Sequence, residues 1–175
     1  MFDGMVKIVL AGPVGAGKTT TLRSLSDDEP VSTEMPLTDG PMGEKTTTTV
    51  ALDFSTVMLD DGTPLQMFGL PGQDHFAHMR PIILQGALGV IVLLAADQPD
   101  ILTMCSEWLD AIQSITPDTP IAIGITRSDQ ARDFRMDALR ALLAERKTTL
   151  PVFTIDARDR EQAQQLVRAL VYSFA

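Results

Sequence analysis

The stretch that decides the fold of this 175-residue chain reads Gly12, Pro13, Val14, Gly15, Ala16, Gly17, Lys18 and Thr19. An apolar run, Val6–Ala11, precedes it and predicts a buried strand, and the segment that follows, Lys18–Leu25, has helical spacing. Because glycine has no Cβ, such a loop wraps closely around a phosphate with its N–H groups pointing inward, and the helix dipole adds positive charge. The stretch predicts a phosphate-binding P-loop, in which Lys18 reaches the β and γ phosphates and Thr19 reaches Mg²⁺.

Composition predicts one intracellular domain spanning residues 1–175. The chain is 45% apolar and long enough to bury a single full core. Its net charge of −9 argues against nucleic acid or an anionic membrane surface as the main partner. One cysteine and two histidines supply neither a disulfide framework nor a zinc set. With no membrane span, no signal peptide and no myristoylation or prenylation motif, we expect a cytoplasmic chain with no direct membrane anchor.

Apolar runs alternate with amphipathic segments, a pattern typical of a doubly wound parallel sheet with helices on both faces. The predicted buried strands are Val6–Ala11, Gly89–Ala95, Ile121–Thr126 and residues 152–155. The predicted helices are Lys18–Leu25 and residues 100–115, 135–146 and 160–174. A turn at Asp60, Asp61 and Gly62 joins residues 50–59 to residues 65–68 as a hairpin. The predicted fold is therefore α/β, with about six strands that are mostly parallel and one antiparallel hairpin strand.

Residues 26–45 are interpreted as a long loop. The segment is acidic and contains Pro30, Pro36, Gly40, Pro41 and Gly43. It leaves the helix that follows the P-loop and returns toward the phosphates, so it is placed to close over a nucleotide when a γ phosphate is present. A mobile surface insertion is the alternative interpretation.

Three further motifs carry a family resemblance. They are Leu70-Pro71-Gly72-Gln73, Thr126-Arg127-Ser128-Asp129 and Asp156-Ala157-Arg158. In chain order they resemble the switch II, base-recognition and ribose/base loops of Ras-like small GTPases, and the resemblance runs along nearly the whole chain. The bacterial MglA-like group has the most similar pattern, with a Pro-Gly-Gln switch II and a threonine-rich segment, here residues 46–49, ahead of Asp53-Phe54. The resemblance implies a P-loop NTPase of the G-domain type that binds GTP or GDP with Mg²⁺.

The resemblance assigns roles to individual residues. Gln73 orients the attacking water and, with Lys18 and Thr49, forms the catalytic set. Asp129 accepts hydrogen bonds from guanine that adenine cannot donate. The Mg²⁺ set is Thr19, Thr49 and Asp53, with Thr48 as an alternative to Thr49. The predicted nucleotide contacts are Gly12, Val14, Gly15, Ala16, Gly17, Lys18, Thr19, Thr20, Gly72, Thr126, Arg127, Asp129, Ala157 and Arg158.

Two departures from the family pattern shape these assignments. Thr126 and Arg127 stand where the family's base motif has Asn and Lys, and Arg127 still offers a planar guanidinium that stacks on a purine. Gly69 stands where most Ras-like proteins have the Asp that holds the hydration shell of Mg²⁺. MglA-like proteins lack that Asp too. We hypothesise that Asp53, on the neighbouring strand of the hairpin, supplies the missing carboxylate; an ordinary strand-edge carboxylate is the alternative.

The implied function is a GTP/GDP switch with slow intrinsic hydrolysis. Small GTPases without a supplied arginine turn over on the order of 10⁻⁴ to 10⁻³ per second. The sequence places no arginine of this chain at the transition-state oxygens, and Arg80, just past switch II, is a candidate only. We therefore expect an activating protein and an effector on the switch regions, and resemblance to the MglA-like group implies a roadblock-domain dimer as the activator. Apolar side chains in the switches either form a docking surface or pack beneath the loops; they are Met35, Met42, Phe76 and Met79.

Two other functions stay open. A P-loop small-molecule kinase would use Asp97 as its Walker B carboxylate, although this chain has no arginine-rich lid and Gln73 and Asp129 would then have no role. A scaffold that binds nucleotide without useful turnover is the second alternative. Phosphate release in a single turnover separates the scaffold from the enzyme.

Overall fold

The computed structural model describes residues 5–38 and 47–174, and the side chains of residues 32–38, 47–51 and 74–76 fall outside that description. The strands are β1 Val6–Ala11, β2 Val31–Thr38, β3 Thr47–Met58, β4 Pro64–Gly69, β5 Gly89–Ala95, β6 Ile121–Thr126 and β7 Val152–Thr154. The helices are α1 Lys18–Leu25, α2 Arg80–Leu84, α3 Ile101–Ile115, α4 Met136–Glu145 and α5 Arg160–Tyr172. Short 3₁₀ helices cover Asp74–Met79 and Ser128–Gln130.

The strands form one mixed sheet with the order β2-β3-β4-β1-β5-β6-β7 over the described residues. β1 pairs in parallel with β4 and β5, and β6 pairs in parallel with β5 and β7. β3 runs antiparallel to both of its neighbours. The predicted α/β fold, mostly parallel with one antiparallel hairpin strand, is confirmed. The parallel strands end on the same edge of the sheet, which places the loops after β1, β4, β5, β6 and β7 together.

Helices cover both faces of the sheet and enclose two apolar clusters. One cluster lies beneath α2, α3 and α4 and includes Trp108, and the other lies beneath α1 and α5. Every residue of β5 and β6 is buried, because each strand contacts helices on both faces. This burial explains why these strands read as uninterrupted apolar runs. None of the described helices combines the length and apolar character needed to cross a membrane.

The prediction of a loop through residues 26–45 was wrong in part. Val31–Thr38 is the edge strand β2, paired with β3 from Val31 opposite Phe54 to Thr38 opposite Thr47. Pro36 is tolerated there because an edge strand leaves one side of its backbone without a partner strand. The described sheet therefore has seven strands where about six were expected. Residues 39–46, with Gly40, Pro41, Met42 and Gly43, lie outside the described residues.

The segment after β4 forms more helix than the sequence indicated. The 3₁₀ helix Asp74–Met79 continues directly into α2, which has Pro81 in its first turn. Met79 is completely buried and packs with Ile83 and Leu84, so it belongs to the core and not to an exposed docking surface. The side chains of Met35 and Phe76 lie outside the described residues.

Candidate nucleotide-binding site

The P-loop joins β1 to α1 through three glycines with positive φ. The φ values are 140° at Gly12, 81° at Gly15 and 97° at Gly17. A Cβ on Gly12 would lie 2.2 Å from the carbonyl oxygen of Leu93 on β5. The loop therefore needs glycine at position 12 for both its backbone conformation and its close approach to the neighbouring strand.

Lys18 folds back over the P-loop. Its Nζ donates hydrogen bonds of 2.7 Å to the carbonyl oxygens of both Gly12 and Pro13. Burial lowers the pKa of Lys18 to about 8, and the negative charge of Asp53 acts in the opposite direction. The ammonium group of Lys18 therefore already lies where a polyphosphate would approach the loop.

Two adjoining cavities bring most of the predicted site residues together. The P-loop cavity, of about 500 Å³, is lined by Val14, Gly15, Gly17, Lys18, Thr19, Thr20, Asp53, Gly69, Gly72, Gln73 and Arg127, among others. The β6/β7 cavity, of about 550 Å³, is lined by Gly17, Thr20, Thr126, Arg127, Asp129, Ala157 and Arg158, among others. Gly12 and Ala16 lie beneath this surface, where the Gly12 carbonyl accepts from Lys18 and the Ala16 amide donates to Pro13.

Gly72 lies directly against the P-loop. A Cβ at this position would lie 2.6 Å from the amide nitrogen of Val14 and 2.8 Å from the carbonyl oxygen of Gly12. Both contacts are to backbone atoms, which have little freedom to move aside. The loop after β4 therefore reaches the P-loop only with glycine at this position, and it brings the exposed Gln73 to the P-loop cavity.

Asp53 lies beside the hydroxyl of Thr19. Thr19 Oγ1 donates a hydrogen bond of 2.5 Å to Asp53 Oδ2. The β3–β4 register places Asp53 opposite Gly69, since Phe54 pairs with Phe68, and a Cβ on Gly69 would lie 3.8 Å from Asp53 Oδ2. The carboxylate of Asp53, on β3, thus reaches the space next to Gly69, the position on β4 that has no carboxylate of its own.

The residues around Thr19 fit a magnesium ion held mainly by its nucleotide. Hydroxyl and carboxylate oxygens are the ligands that Mg²⁺ prefers, and Mg²⁺ takes its other ligands from phosphates and water. Within the described residues, no group of three or more His, Cys, Asp or Glu side chains is arranged to hold a metal ion without such help. Thr49 belongs to β3, but its side chain, like that of Thr48, lies outside the described residues.

Thr126 ties the end of β6 to the P-loop. Its side chain is buried, and Oγ1 donates to the carbonyl oxygen of Ala16 at 2.9 Å and, more weakly, to that of Leu94 at 3.4 Å. Its methyl carbon lies 3.6 Å from the position that a Cβ on Gly17 would occupy. Thr126 therefore supports the P-loop from below while it lines the floor of the β6/β7 cavity.

Arg127 occupies the boundary between the two cavities. Its backbone is left-handed, with φ 57°, and the residue lines both cavities. Nη1 lies 3.4 Å from Oδ2 of Asp97, which follows β5. Asp97 lines neither cavity and borders a separate one of about 240 Å³, so it does not lie beside the P-loop as the Walker B carboxylate of a kinase would.

The loop after β7 is held by its own hydrogen bonds. Asp156 accepts from the backbone amide, Nε and Nη2 of Arg158, and these bonds lower the pKa of Asp156. Ser24 on α1 donates to the carbonyl oxygen of Ala157, and Ala157 lines the β6/β7 cavity. The contact of Ser24 was not predicted from the sequence, because no motif around Ser24 connects it with a loop 133 residues away.

Arg80 lies away from the P-loop cavity. Its guanidinium carbon is 4.2 Å from the centroid of the Trp108 ring, a cation–π contact that anchors α2 to α3. Arg80 is not among the residues that line the P-loop cavity. In this conformation its role is to join two helices, and the candidate arginine for hydrolysis is not in place.

Comparison with known proteins places this geometry in a family. A model of the Ras family matches residues 7–174. The GTP-binding protein ypt4 of Schizosaccharomyces pombe is 26% identical over 125 residues, which cover 67% of this chain and 48% of ypt4, so the match spans about half of that relative. The Ras-related protein RabC of Dictyostelium discoideum is 24% identical over 168 residues, covering 93% of this chain and 70% of RabC.

A solved structure shows the same fold. The G domain of the FeoB iron transporter of T. maritima superposes with a TM-score of 0.70 and 20% identity, covering 98% of this chain and 100% of that domain. At this identity the likeness concerns the fold alone. The family model, in contrast, extends from the second residue of β1 to beyond the end of α5. The chain belongs to the Ras family.

Proposed function

We propose that this chain is a GTP/GDP switch with slow, Mg²⁺-dependent GTP hydrolysis that a partner protein accelerates. The observation that carries the proposal is the meeting of Lys18, the Thr19–Asp53 pair and the Gly72–Gln73 loop at one cavity, next to a second cavity that presents Asp129. The first cavity has the charge and backbone donors for a polyphosphate. The second has a carboxylate for the edge of a base.

The triphosphate would bind along the P-loop. Backbone amides of the P-loop and the N-terminus of α1 would stabilise the phosphate charge, and Lys18 would exchange its two carbonyl acceptors for phosphate oxygens. Thr19 and Asp53 would hold Mg²⁺, which neutralises charge that develops between the β and γ phosphates. Asp53 would act through the ion's water ligands, since its carboxylate already accepts the hydrogen bond of Thr19.

Hydrolysis would proceed by in-line attack of water on the γ phosphorus. Gln73 lines the P-loop cavity and is exposed, so it is free to orient that water, and the Gly72 amide is near enough to the P-loop to contact the γ phosphate. Arg80 is stacked on Trp108 and does not line the P-loop cavity, so in this conformation it would not stabilise charge on the γ phosphate. This favours turnover on the order of 10⁻⁴ to 10⁻³ per second without a partner.

Guanine selection would rest mainly on Asp129. Its carboxylate can accept from the N1–H and the 2-amino group of guanine, neither of which adenine offers. The Ala157 amide would donate to the guanine oxygen. Thr126 is engaged with Ala16 and contributes support to the P-loop, so we expect weaker base discrimination than the family's usual Asn-Lys-x-Asp motif provides.

Several finer assignments belong to the same proposal. We assign the chain to the MglA-like group on its Pro-Gly-Gln loop and on the replacement of the β4 carboxylate by Gly69. We expect it to form one domain, to act in the cytoplasm and to meet its activator and effector on the switch loops, with a roadblock-domain dimer as the activator.

The test begins with the nucleotide that leaves the purified protein on denaturation. GDP or GTP, identified by chromatography, supports the proposal, whereas ADP or ATP would favour the kinase alternative. A single-turnover measurement of phosphate release with Mg²⁺, with and without candidate activators, then separates the switch from a scaffold. A protein that never releases phosphate is a scaffold, a function that the unusual Thr126 would also permit.

A further inference from the structure

Arg127 has an unusual backbone for a residue with a large side chain. Of the described residues other than glycine, Arg127 and Lys147 are the ones with positive φ. Lys147 ends the turn after α4, whereas Arg127 directly follows the buried Thr126 and begins the loop that carries Asp129. Strain of this kind persists only where neighbouring contacts enforce it, and it concentrates at functional sites.

Arg127 lies at the boundary between the two cavities. Three residues line both the P-loop cavity and the β6/β7 cavity, namely Gly17, Thr20 and Arg127, and Arg127 is the charged one. A ligand with phosphates in one cavity and a base in the other crosses this boundary. The planar face of a guanidinium stacks well on a purine or against a sugar.

Asp97 holds the guanidinium from outside both cavities. The ion pair joins Nη1 to Oδ2 at 3.4 Å, with the Asp97 side chain 28% exposed and that of Arg127 49% exposed. The two loops are also joined through the backbone, because the Ala96 amide donates to the carbonyl oxygen of Thr126 at 2.8 Å. A carboxylate engages the N–H groups at the edge of a guanidinium and leaves its planar face available.

We propose that Asp97 is a positioning residue for the nucleoside: it holds the Arg127 guanidinium at the boundary of the two cavities, where the planar group packs against the bound nucleoside. The inference rests on the proposed function and adds to it a residue outside the binding surface. Asp97 acts through Arg127 and does not touch the nucleotide.

The test compares a ligand that has a nucleoside with one that lacks it. Dissociation constants for GDP and for inorganic tripolyphosphate are measured on the nucleotide-free protein and on Asp97→Asn, Asp97→Glu and Arg127→Ala. Asp60→Asn is the matched control, because Asp60 pairs with Arg168 at the β3–β4 hairpin and lines neither cavity. Asp97→Asn keeps the size of the side chain and removes its charge.

We expect Asp97→Asn to weaken GDP binding by roughly three- to fivefold, the upper range for an ion pair of this exposure, with tripolyphosphate binding unchanged within about twofold. Asp97→Glu should recover part of the loss. In the Arg127→Ala background, Asp97→Asn should have no further effect, because the two residues act as one unit. Asp60→Asn should bind both ligands as the unaltered protein does.

Three results would overturn the inference: unchanged GDP binding in Asp97→Asn, an equal loss for GDP and tripolyphosphate, or an added loss in the Arg127→Ala background. Failure of the proposed function has a different signature, in which the unaltered chain prefers ATP to GDP. The coupling of Asp97 and Arg127 is then measured with ATP, because stacking on a purine face does not depend on the base edge. A chain that binds neither nucleotide overturns both proposals.

Discussion

Asp53 on β3 lies opposite Gly69 on β4, and its carboxylate extends over the space that a side chain at position 69 would enter. A Cβ on Gly69 would be 3.4 Å from the Cβ of Asp53 and 3.8 Å from its Oδ2. The same carboxylate accepts the hydrogen bond of Thr19. A negative charge is therefore present beside the P-loop threonine although the end of β4 provides none.

Asp53→Ala should weaken Mg²⁺-dependent GTP binding. Loss of an outer carboxylate around a metal typically costs about 10- to 100-fold in metal affinity, so the Mg²⁺ concentration that half-prevents GDP release should rise by about that factor. A matched control is Asp118→Ala, an exposed carboxylate in the loop after α3. Unchanged Mg²⁺ dependence in Asp53→Ala would refute the role given to Asp53.

A second substitution tests whether the position of the charge or only its presence matters. Asp53→Ala vacates the space in front of Gly69, so Gly69→Asp in the same chain should be accommodated and restore part of the Mg²⁺ dependence. Gly69→Asp alone should be poorly tolerated, because two carboxylates would then lie within about 4 Å and repel each other. The measurement is Mg²⁺-dependent GDP release from both variants. A double variant that behaves like Asp53→Ala would contradict the exchange.

Gly72→Ala should slow hydrolysis more than it weakens GDP binding. The added Cβ would lie 2.6 Å from the Val14 amide nitrogen, so the loop that carries Gln73 must withdraw from the P-loop. The proposed contact of this loop is with the γ phosphate, which GDP lacks, so the expected loss falls on single-turnover phosphate release and is about 10- to 100-fold. Gly69→Ala is the comparison, since its Cβ would make ordinary contacts of 3.4 Å and longer. Equal hydrolysis rates in Gly72→Ala and the unaltered chain would exclude the role of this close approach.

Sequence patterns predicted the bounds of a strand correctly where a single physical cause, burial on both faces, determines its composition. Three strands have the bounds that were predicted, because helices on both faces make their residues apolar apart from Lys7 and Thr126. They are Val6–Ala11, Gly89–Ala95 and Ile121–Thr126. β2 was not predicted because it is an edge strand that contains Pro36. The local sequence has a low propensity for strand, and the pairing with β3 overrides that propensity.

The site was predictable to the extent that it is local. The P-loop is one continuous stretch, so a phosphate-binding loop could be predicted from the spacing of its glycines and Lys18. Asp53 could be inferred because a short hairpin places it near Gly69. The contacts of Asp97 with Arg127 and of Ser24 with Ala157 join residues 30 and 133 positions apart, so only the packed fold brings them together.

Thr126→Val should destabilise the fold and loosen the P-loop. Valine keeps the shape of threonine but leaves the buried carbonyl oxygen of Ala16 without the donor that lies 2.9 Å from it. The expected loss in unfolding free energy is about 1–2 kcal/mol, measured by urea titration of the nucleotide-free protein. Thr56→Val, at an exposed position on β3, should change stability by less than about 0.5 kcal/mol. Similar losses in the two variants would show that the buried hydrogen bond has no special weight.

The buried ammonium of Lys18 should make the stability of the nucleotide-free protein depend on pH. Its pKa in the folded protein is about 8, below the ordinary value of 10.5, so the unfolded chain binds more protons between these two values. The protein is therefore destabilised by Lys18 below about pH 8, and its unfolding free energy should increase as the pH rises toward 10.5.

Cys105 has to be separated from this effect. Burial raises the pKa of Cys105 from 9.0 to about 11, so the thiol lowers the unfolding free energy as the pH rises above 9. Lys18→Met retains Cys105, so subtracting its urea-derived unfolding free energy from that of the unaltered chain cancels the thiol. The difference should move in favour of the unaltered chain from pH 8 to 10.5, and a difference that is flat across this range would contradict the burial of a charged Lys18.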